Sequence, residues 1–314
     1  MSFLFLDPGN SNWKARNTEG KELKTLALIA QAQDAFTEKK IWQIDGHYIG
    51  KDAIIHGHTK DYSLDEAKTS QSTFQILTKY MLCNYPNENR IVFLFPYKSY
   101  FTEKKKILDV FSRPQSINYK IGNIGYVHHF NPTLVKSLPQ GYATGMDYYL
   151  DDDGKPKRDI PNVSLIIDIG MGTVNYLYML RGQLIQDMSY TTPNGMHQTY
   201  KRNPFGKNIY EIDYYYGYGA LDSLVKDQAT LIKTDVSTYY NTNLIDEIVV
   251  VGGGALSTFD YLPYKQKVLH PELEGWEEDE NGISAAQFAG VRGADKVVKN
   301  LKWGECERTE TMIS

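Results

Sequence analysis

Short apolar runs separated by glycine-centred polar turns set the pattern of this chain. Residues 3–6 form an apolar strand that runs into Asp7-Pro8-Gly9-Asn10-Ser11-Asn12 and then into Trp13-Lys14-Ala15-Arg16. About half a chain later, Leu165-Ile166-Ile167-Asp168-Ile169 leads into Gly170-Met171-Gly172-Thr173 and a second strand over 176–180. Apolar segments on both sides of a tight polar turn predict a hairpin, because a helix would need at least two turns free of glycine. Residues 25–30 predict one further strand, and 41–50 alternate around Asp45-Gly46, the signal of a hairpin closed by a type I′ turn. The run 91–95 is apolar throughout, as in a central strand covered on both faces. A helical period places Phe74, Leu77, Tyr80 and Met81 on one face of a helix over 70–83. A second helix over 101–111 turns Ile107, Leu108 and Phe111 inward and leaves Lys104-Lys105-Lys106 on a solvated face. Residues 125–130, 182–185 and 247–251 read as strands, and 220–233 and 284–298 as helices. Strand, aspartate, glycine turn and strand thus occur twice, which predicts an α/β chain of two similar halves.

Composition adds bounds to this picture. A chain of 314 residues suffices for two domains, and 41% hydrophobic with 23% charged residues is a globular balance. A net charge of −4 gives no general attraction to nucleic acid or anionic lipid, so direct sequence-specific nucleic-acid binding is not expected. The two cysteines, Cys83 and Cys306, lie far apart without metal-type spacing, as in a reducing compartment. No apolar run approaches the ~18 residues of a membrane span. The opening run at 3–6 is too short for a secretion signal. The expected location is the cytoplasm. Tyrosine is the unusual residue, at 24 copies, enough to supply large apolar area with polar tips at interfaces.

The chemistry concentrates at the glycine turns. Gly170 and Gly172 let the backbone turn and present N–H groups to an anion. Asp168 stands at a strand end, where a carboxylate can hold a hydrated Mg²⁺ beside them. After the buried run 247–251, Gly252-Gly253-Gly254 lets backbone pass close to a neighbour where any Cβ would clash. Other clusters are set aside. Asp151-Asp152-Asp153-Gly154 lacks the ligand ladder and closing Glu of a calcium loop and reads as a surface loop. His128 and His129 are adjacent, so on a strand they point to opposite faces. Gly217-x-Gly219 lacks a third glycine and a strong preceding strand, and no P-loop is present.

Asp7-x-Gly9 with Lys14 resembles the first phosphate motif of the actin-like ATPases, the group of actin, the heat-shock chaperone ATPase domains and the sugar kinases. Asp168-x-Gly170-x-x-Thr173 is similar to the second phosphate motif, and Val249-Val250-Val251-Gly252-Gly253-Gly254-Ala255 to the adenosine motif. The three occur in the family's order and span residues 3 to about 300. Length and small insertions most resemble the plasmid-segregation actins of the ParM/StbA type.

The resemblance implies two similar actin-like (ribonuclease H-like) domains, each a mixed sheet flanked by helices, with ATP or GTP in the cleft between them. The first domain would be 1–145 plus 284–314 and the second 146–283. It assigns the phosphates to Gly9, Asn10, Ser11, Asn12 and Lys14 and to Gly170, Met171, Gly172 and Thr173. The nucleoside falls to Gly252, Gly253 and Gly254, and Mg²⁺ is held through water by Asp7 and Asp168. In the family the helix linking the domains begins with a Gln or Glu that orients the attacking water, and Gln140 matches it, with Asp168 beside it in catalysis. A later small-residue helix, here 284–298, packs against that linker. Asn175 is a departure, since the family often carries Asp there. An amide can position water without acting as a base, so slow hydrolysis is expected. The implied function is a polymerising ATPase whose filament moves plasmid DNA through a DNA-binding adaptor protein. A small-molecule kinase of the same fold and a non-hydrolysing nucleotide-dependent scaffold are the alternatives.

Overall fold

The computed structural model describes residues 2–9, 12–32, 40–56, 60–62, 72–201, 222–269 and 288–303. Asn10, Ser11, the Gly217-x-Gly219 pair, the tyrosine-dense run 210–219 and Cys306 lie outside the described residues.

Two sheets repeat one plan. β1 (Leu4–Pro8), β2 (Asn12–Asn17), β3 (Glu22–Leu26), β8 (Arg90–Phe95) and β11 (Leu134–Pro139) form the first, in the order β3-β2-β1-β8-β11. β12 (Val163–Ile169), β13 (Val174–Leu180), β14 (Gln183–Leu184), β16 (Glu247–Val251) and β17 (Lys267–Leu269) form the other, in the order β14-β13-β12-β16-β17. In each, the first two strands are an antiparallel hairpin, and the last two join parallel to its first strand. β15 (Tyr190–Thr192) adds to the second sheet by pairing with β13. The duplicated grammar of the sequence is therefore a duplicated topology.

The strand period decides the layers. Leu4 and Leu6 face one core with Phe74, Leu77 and Phe111, while Phe3 and Phe5 face another with Ala143, Ile166 and Val291. Likewise Ile166, Val249 and Val251 point into that second core, and Leu165, Ile167, Ile248 and Val250 into a third. Alternation on strands buried on both faces gives this result. The middle core holds α4 (Gln140–Tyr149) and a late helix, Ala289–Asn300, packed between the two sheets. The outer faces carry α2 (Ser72–Asn84) and α3 (Tyr97–Phe111) on one side and the helix Asp222–Tyr239 on the other.

The two central helices approach backbone to backbone. A Cβ on Gly293 would collide with the Ala143 carbonyl, and Lys296 Nζ lies 2.6 Å from Asp147 Oδ1, both side chains buried. Gly293→Ala is expected to lower stability by about 1–3 kcal/mol through this overpacking, read as the urea midpoint of the nucleotide-free protein. An unchanged midpoint would mean that the helices separate freely.

Several expectations need correction. The apolar run 25–30 is not one strand. β3 ends at Leu26, Ala27 is a buried bend, and β4 (Leu28–Gln31) joins a different sheet. That additional sheet has the order β10-β9-β5-β6-β4-β7, with β5 (Trp42–Ile44), β6 (His47–Ile49), β7 (Lys60–Tyr62), β9 (Gln115–Ile121) and β10 (Ile124–Phe130). β9 and β17 carry weak apolar patterns and were not expected. The Asp45-Gly46 turn has φ of 47° and 76°, as a type I′ hairpin requires. The helix expected over 101–111 begins four residues earlier, at Tyr97.

Candidate active site

The two hairpins place equivalent residues at equivalent points. In the first, Asp7 pairs across the strands with Lys14; in the second, Asp168 pairs with Asn175. Cross-strand partners project from the same face, so each aspartate meets the side chain seven residues on. Lys14 Nζ donates to Asp7 Oδ2 at 2.8 Å, and Asn175 Nδ2 donates to Asp168 Oδ2 at 3.1 Å. Asp7 and Asp168 are each only 2% exposed, and Asp7 Oδ1 is buried with no hydrogen-bond partner among the described residues.

The Asp168 carboxyl is shifted by its surroundings. Burial pushes the Asp168 carboxyl up to about 6; the Asn175 hydrogen bond opposes this, the Asp7 charge adds to it, and the Lys14 ammonium pulls it down. Asp7 has a cation as its partner and Asp168 only a neutral amide, so the second carboxylate carries the uncompensated charge.

The turns are fixed by their surroundings. Gly170 N–H donates to the Thr173 carbonyl at 2.9 Å, closing the second turn. The amides of Met196 and His197, at the start of α5 (Met196–Lys201), donate to the carbonyls of Gly170 and Met171 at 3.0 and 2.7 Å. Those carbonyls therefore face α5. In the first turn, a Cβ on Gly9 would stand 2.5 Å from the Asn12 carbonyl and 3.4 Å from Lys14 Nζ.

β16 runs beside β12 with Val251 next to Asp168, and this brings the glycine run to the carboxylate. Gly252 has φ of +92°, and its Cβ would lie 2.5 Å from Asp168 Oδ1, so geometry and space both require glycine. Gly254 N–H donates to the Ile169 carbonyl at 2.9 Å. Gly253 borders open space. Two glycines thus let β16 close on the hairpin and one lines the opening.

Gln140 is the first residue of α4, half-buried, directly after Pro139. Its neighbour Gly141 abuts the site, since a Cβ there would lie 3.3 Å from Asp168 Oδ2. Asn175 is 1% exposed and fully engaged: its Oδ1 accepts from Tyr97 N–H at 3.1 Å and from the Thr191 hydroxyl at 2.9 Å. Sequence reasoning missed Tyr97, Gly141, Thr191 and Gly195, which packs on the backbone of Gly172 and Thr173. The seven-residue spacing of Asp168 and Asn175, matching Asp7 and Lys14, was the one available signal for their pairing.

Among the described residues no three His, Cys, Asp or Glu side chains gather as a metal cage. Two carboxylates with one orphaned oxygen fit a cation that completes its shell with water and phosphate oxygens, the habit of Mg²⁺. No helix among the described residues is long and apolar enough to cross a membrane.

No protein-family model matches the chain, and no curated protein does. Solved structures do. The apo ParM protein of pSK41 shares 21% identity at a TM-score of 0.66, over 96% of this chain and 98% of that one. Ta0583, an archaeal actin homologue, in complex with ADP, shares 17% at 0.69, over 95% and 99%. A ParM subunit of a 15-stranded filament from Clostridium botulinum shares 15% at 0.67, over 95% and 99%. The chain has the actin fold across nearly its whole length, with ParM proteins and an archaeal actin homologue among its structural neighbours.

Proposed function

We propose that this chain is a filament-forming actin-like ATPase: nucleotide binding drives its polymerisation, hydrolysis drives disassembly, and a DNA-binding adaptor couples the filament to plasmid DNA. The observation that carries the reading is the facing pair of aspartate-tipped hairpins, Asp7 with its orphaned oxygen and Asp168 raised by burial and by Asp7. Two like charges buried together invite a divalent cation.

In this reading residues 1–145 with 284–314 make one domain and 146–283 the other. Gly9, Asn12 and Lys14 face the phosphates from one side, and Gly170 to Thr173 from the other. Gly253 lies under the nucleoside, while Gly252 and Gly254 seat that turn against the second hairpin. Asp7 and Asp168 would hold Mg²⁺ through water, and the ion would supply positive charge against the phosphates. Gln140, at the start of α4 beside Asp168, both accepts from and donates to the attacking water, which fixes its lone pair toward the γ-phosphate. Asp168, which lies against the start of α4, takes the proton that water gives up. Asn175 acts through Asp168 rather than on water, because all of its oxygen's bonds go inward.

Phosphate release measured with Mg-ATP and Mg-GTP, alongside light scattering and electron microscopy, tests this. Expected are filaments with nucleotide, none without, and phosphate release without any added acceptor. A flat scattering trace with both nucleotides overturns the filament; release only with an added acceptor points to a kinase. Gln140→Ala is expected to bind nucleotide normally and to hydrolyse it roughly 100-fold more slowly. Normal turnover removes Gln140 from the mechanism.

A further inference from the structure

Asn175 stands in the middle of a row that crosses three strands. β15 pairs with β13 so that Thr191 lies opposite Asn175, and β13 pairs with β12 so that Asn175 lies opposite Asp168. Residues paired in this way share a face, and here they are bonded in series. The Thr191 hydroxyl donates to Asn175 Oδ1 at 2.9 Å, and Asn175 Nδ2 donates to Asp168 Oδ2 at 3.1 Å.

The outer end of this row is tied to the other half of the molecule. α3 follows β8 of the first sheet, and its opening amides belong to a turn that has no acceptors of its own. Tyr97 N–H donates to Asn175 Oδ1 at 3.1 Å, and Lys98 N–H to Thr191 Oγ1 at 3.1 Å. Side chains of the second sheet therefore cap a helix of the first. Tyr97, Lys98 and Thr191 line a groove of about 500 Å³ between the start of α3 and residues 186–191, together with Phe101 and Tyr190.

We propose that Thr191 is a positioning residue: its hydroxyl locks the Asn175 amide in the orientation that presents Nδ2 to Asp168, and ties that orientation to the seating of α3 across the two halves. An amide can turn over and offer its oxygen to Asp168 instead. Two donors on Oδ1 prevent this, and Thr191 supplies one of them while accepting from Lys98. If the halves shear apart at α3, the tie at Lys98 breaks and the carboxylate loses its fixed partner. This rests on the reading of Asp168 as a catalytic carboxylate.

The test compares the full-length wild-type chain with Thr191→Val, which keeps shape and loses the hydroxyl, and Thr191→Ser, which keeps the hydroxyl. Phosphate release gives kcat and KM, and hydrogen exchange reads the amides of Tyr97 and Lys98. For Thr191→Val the expected result is a kcat about tenfold lower, a KM within about twofold of wild type, and faster exchange at both amides. Thr191→Ser is expected to restore all three. Wild-type kcat in Thr191→Val overturns the positioning role, even if exchange quickens. Unchanged exchange at Tyr97 and Lys98 overturns the tie between the halves. Failure of Thr191→Ser to rescue overturns the role of the hydroxyl. If the wild-type chain hydrolyses neither ATP nor GTP, the proposed function fails; the exchange comparison then still decides the tie.

Discussion

Asp168→Asn is expected to make the nucleotide-free protein more stable and to cut sharply the Mg²⁺-dependent turnover proposed above. The wild-type carboxyl titrates at about 6 in the fold against 3.8 ordinarily, chiefly because burial strips its charge of water. A raised folded value means that the folded state holds the proton more tightly than the unfolded one. Stability is therefore full below pH 4 and falls as pH climbs to 6 and beyond, by roughly 3 kcal/mol for a difference of this size. The amide carries no charge and removes the loss, while its oxygen still accepts from Asn175 Nδ2. At pH 7.5 the variant should be more stable by about 1–3 kcal/mol, with the advantage vanishing near pH 4. Calorimetric melting across pH 4–8 reads it. Turnover should fall by about 10³-fold or more, because both the basic oxygen and a negative contact for the hydrated cation are gone. Mg-nucleotide should raise the melting temperature of wild type and leave the variant almost unmoved. A variant that is less stable at pH 7.5 would show that Asp168 is held by compensating charge, and that the electrostatic picture of the site is wrong.

The duplicated hairpins were legible in the sequence because their signals are local. Asp-x-Gly after an apolar run marks a turn wherever it occurs, and period-2 alternation gives the faces of β1 and β12 without knowledge of the partner strand. The Gly252–Gly254 run was equally visible, but its meaning was only partly so: Gly252 and Gly254 meet Asp168 and Ile169 in space, and no spacing in the chain reports this. The break at Ala27 was invisible because apolar residues suit a strand in either of two sheets. The first turn of α3 was missed for a related reason. Tyr97 and Lys98 follow Pro96 without a local capping side chain, and their amides are satisfied by Asn175 and Thr191 from the other half. A cap supplied from a separate sheet leaves no mark in the helix's own sequence.

Asn175→Asp should have the opposite effect to Asp168→Asn and one of comparable size. The substitution keeps an oxygen for Tyr97 N–H and the Thr191 hydroxyl, so the start of α3 stays capped. It removes the Nδ2 donor, which now lies 3.1 Å from Asp168 Oδ2, and sets a second carboxylate there. With Asp7 nearby, three buried carboxyls would then share one ammonium, Lys14. Two carboxylates in contact cannot both ionise cheaply, so the folded pair will retain a proton well above the usual carboxylate range. By the same sign, the variant should match wild type near pH 4 and lose about 2–4 kcal/mol relative to it by pH 8, in the absence of metal. A divalent cation bound between the carboxylates reverses the balance, so millimolar Mg²⁺ with nucleotide should stabilise Asn175→Asp more than wild type. Exchange at Tyr97 and Lys98 should stay slow, which separates this variant from Thr191→Val. A stability difference that is constant from pH 4 to 8 would mean that the two side chains do not titrate together, and that the 175–168 contact is not the charge-sensitive joint of the site.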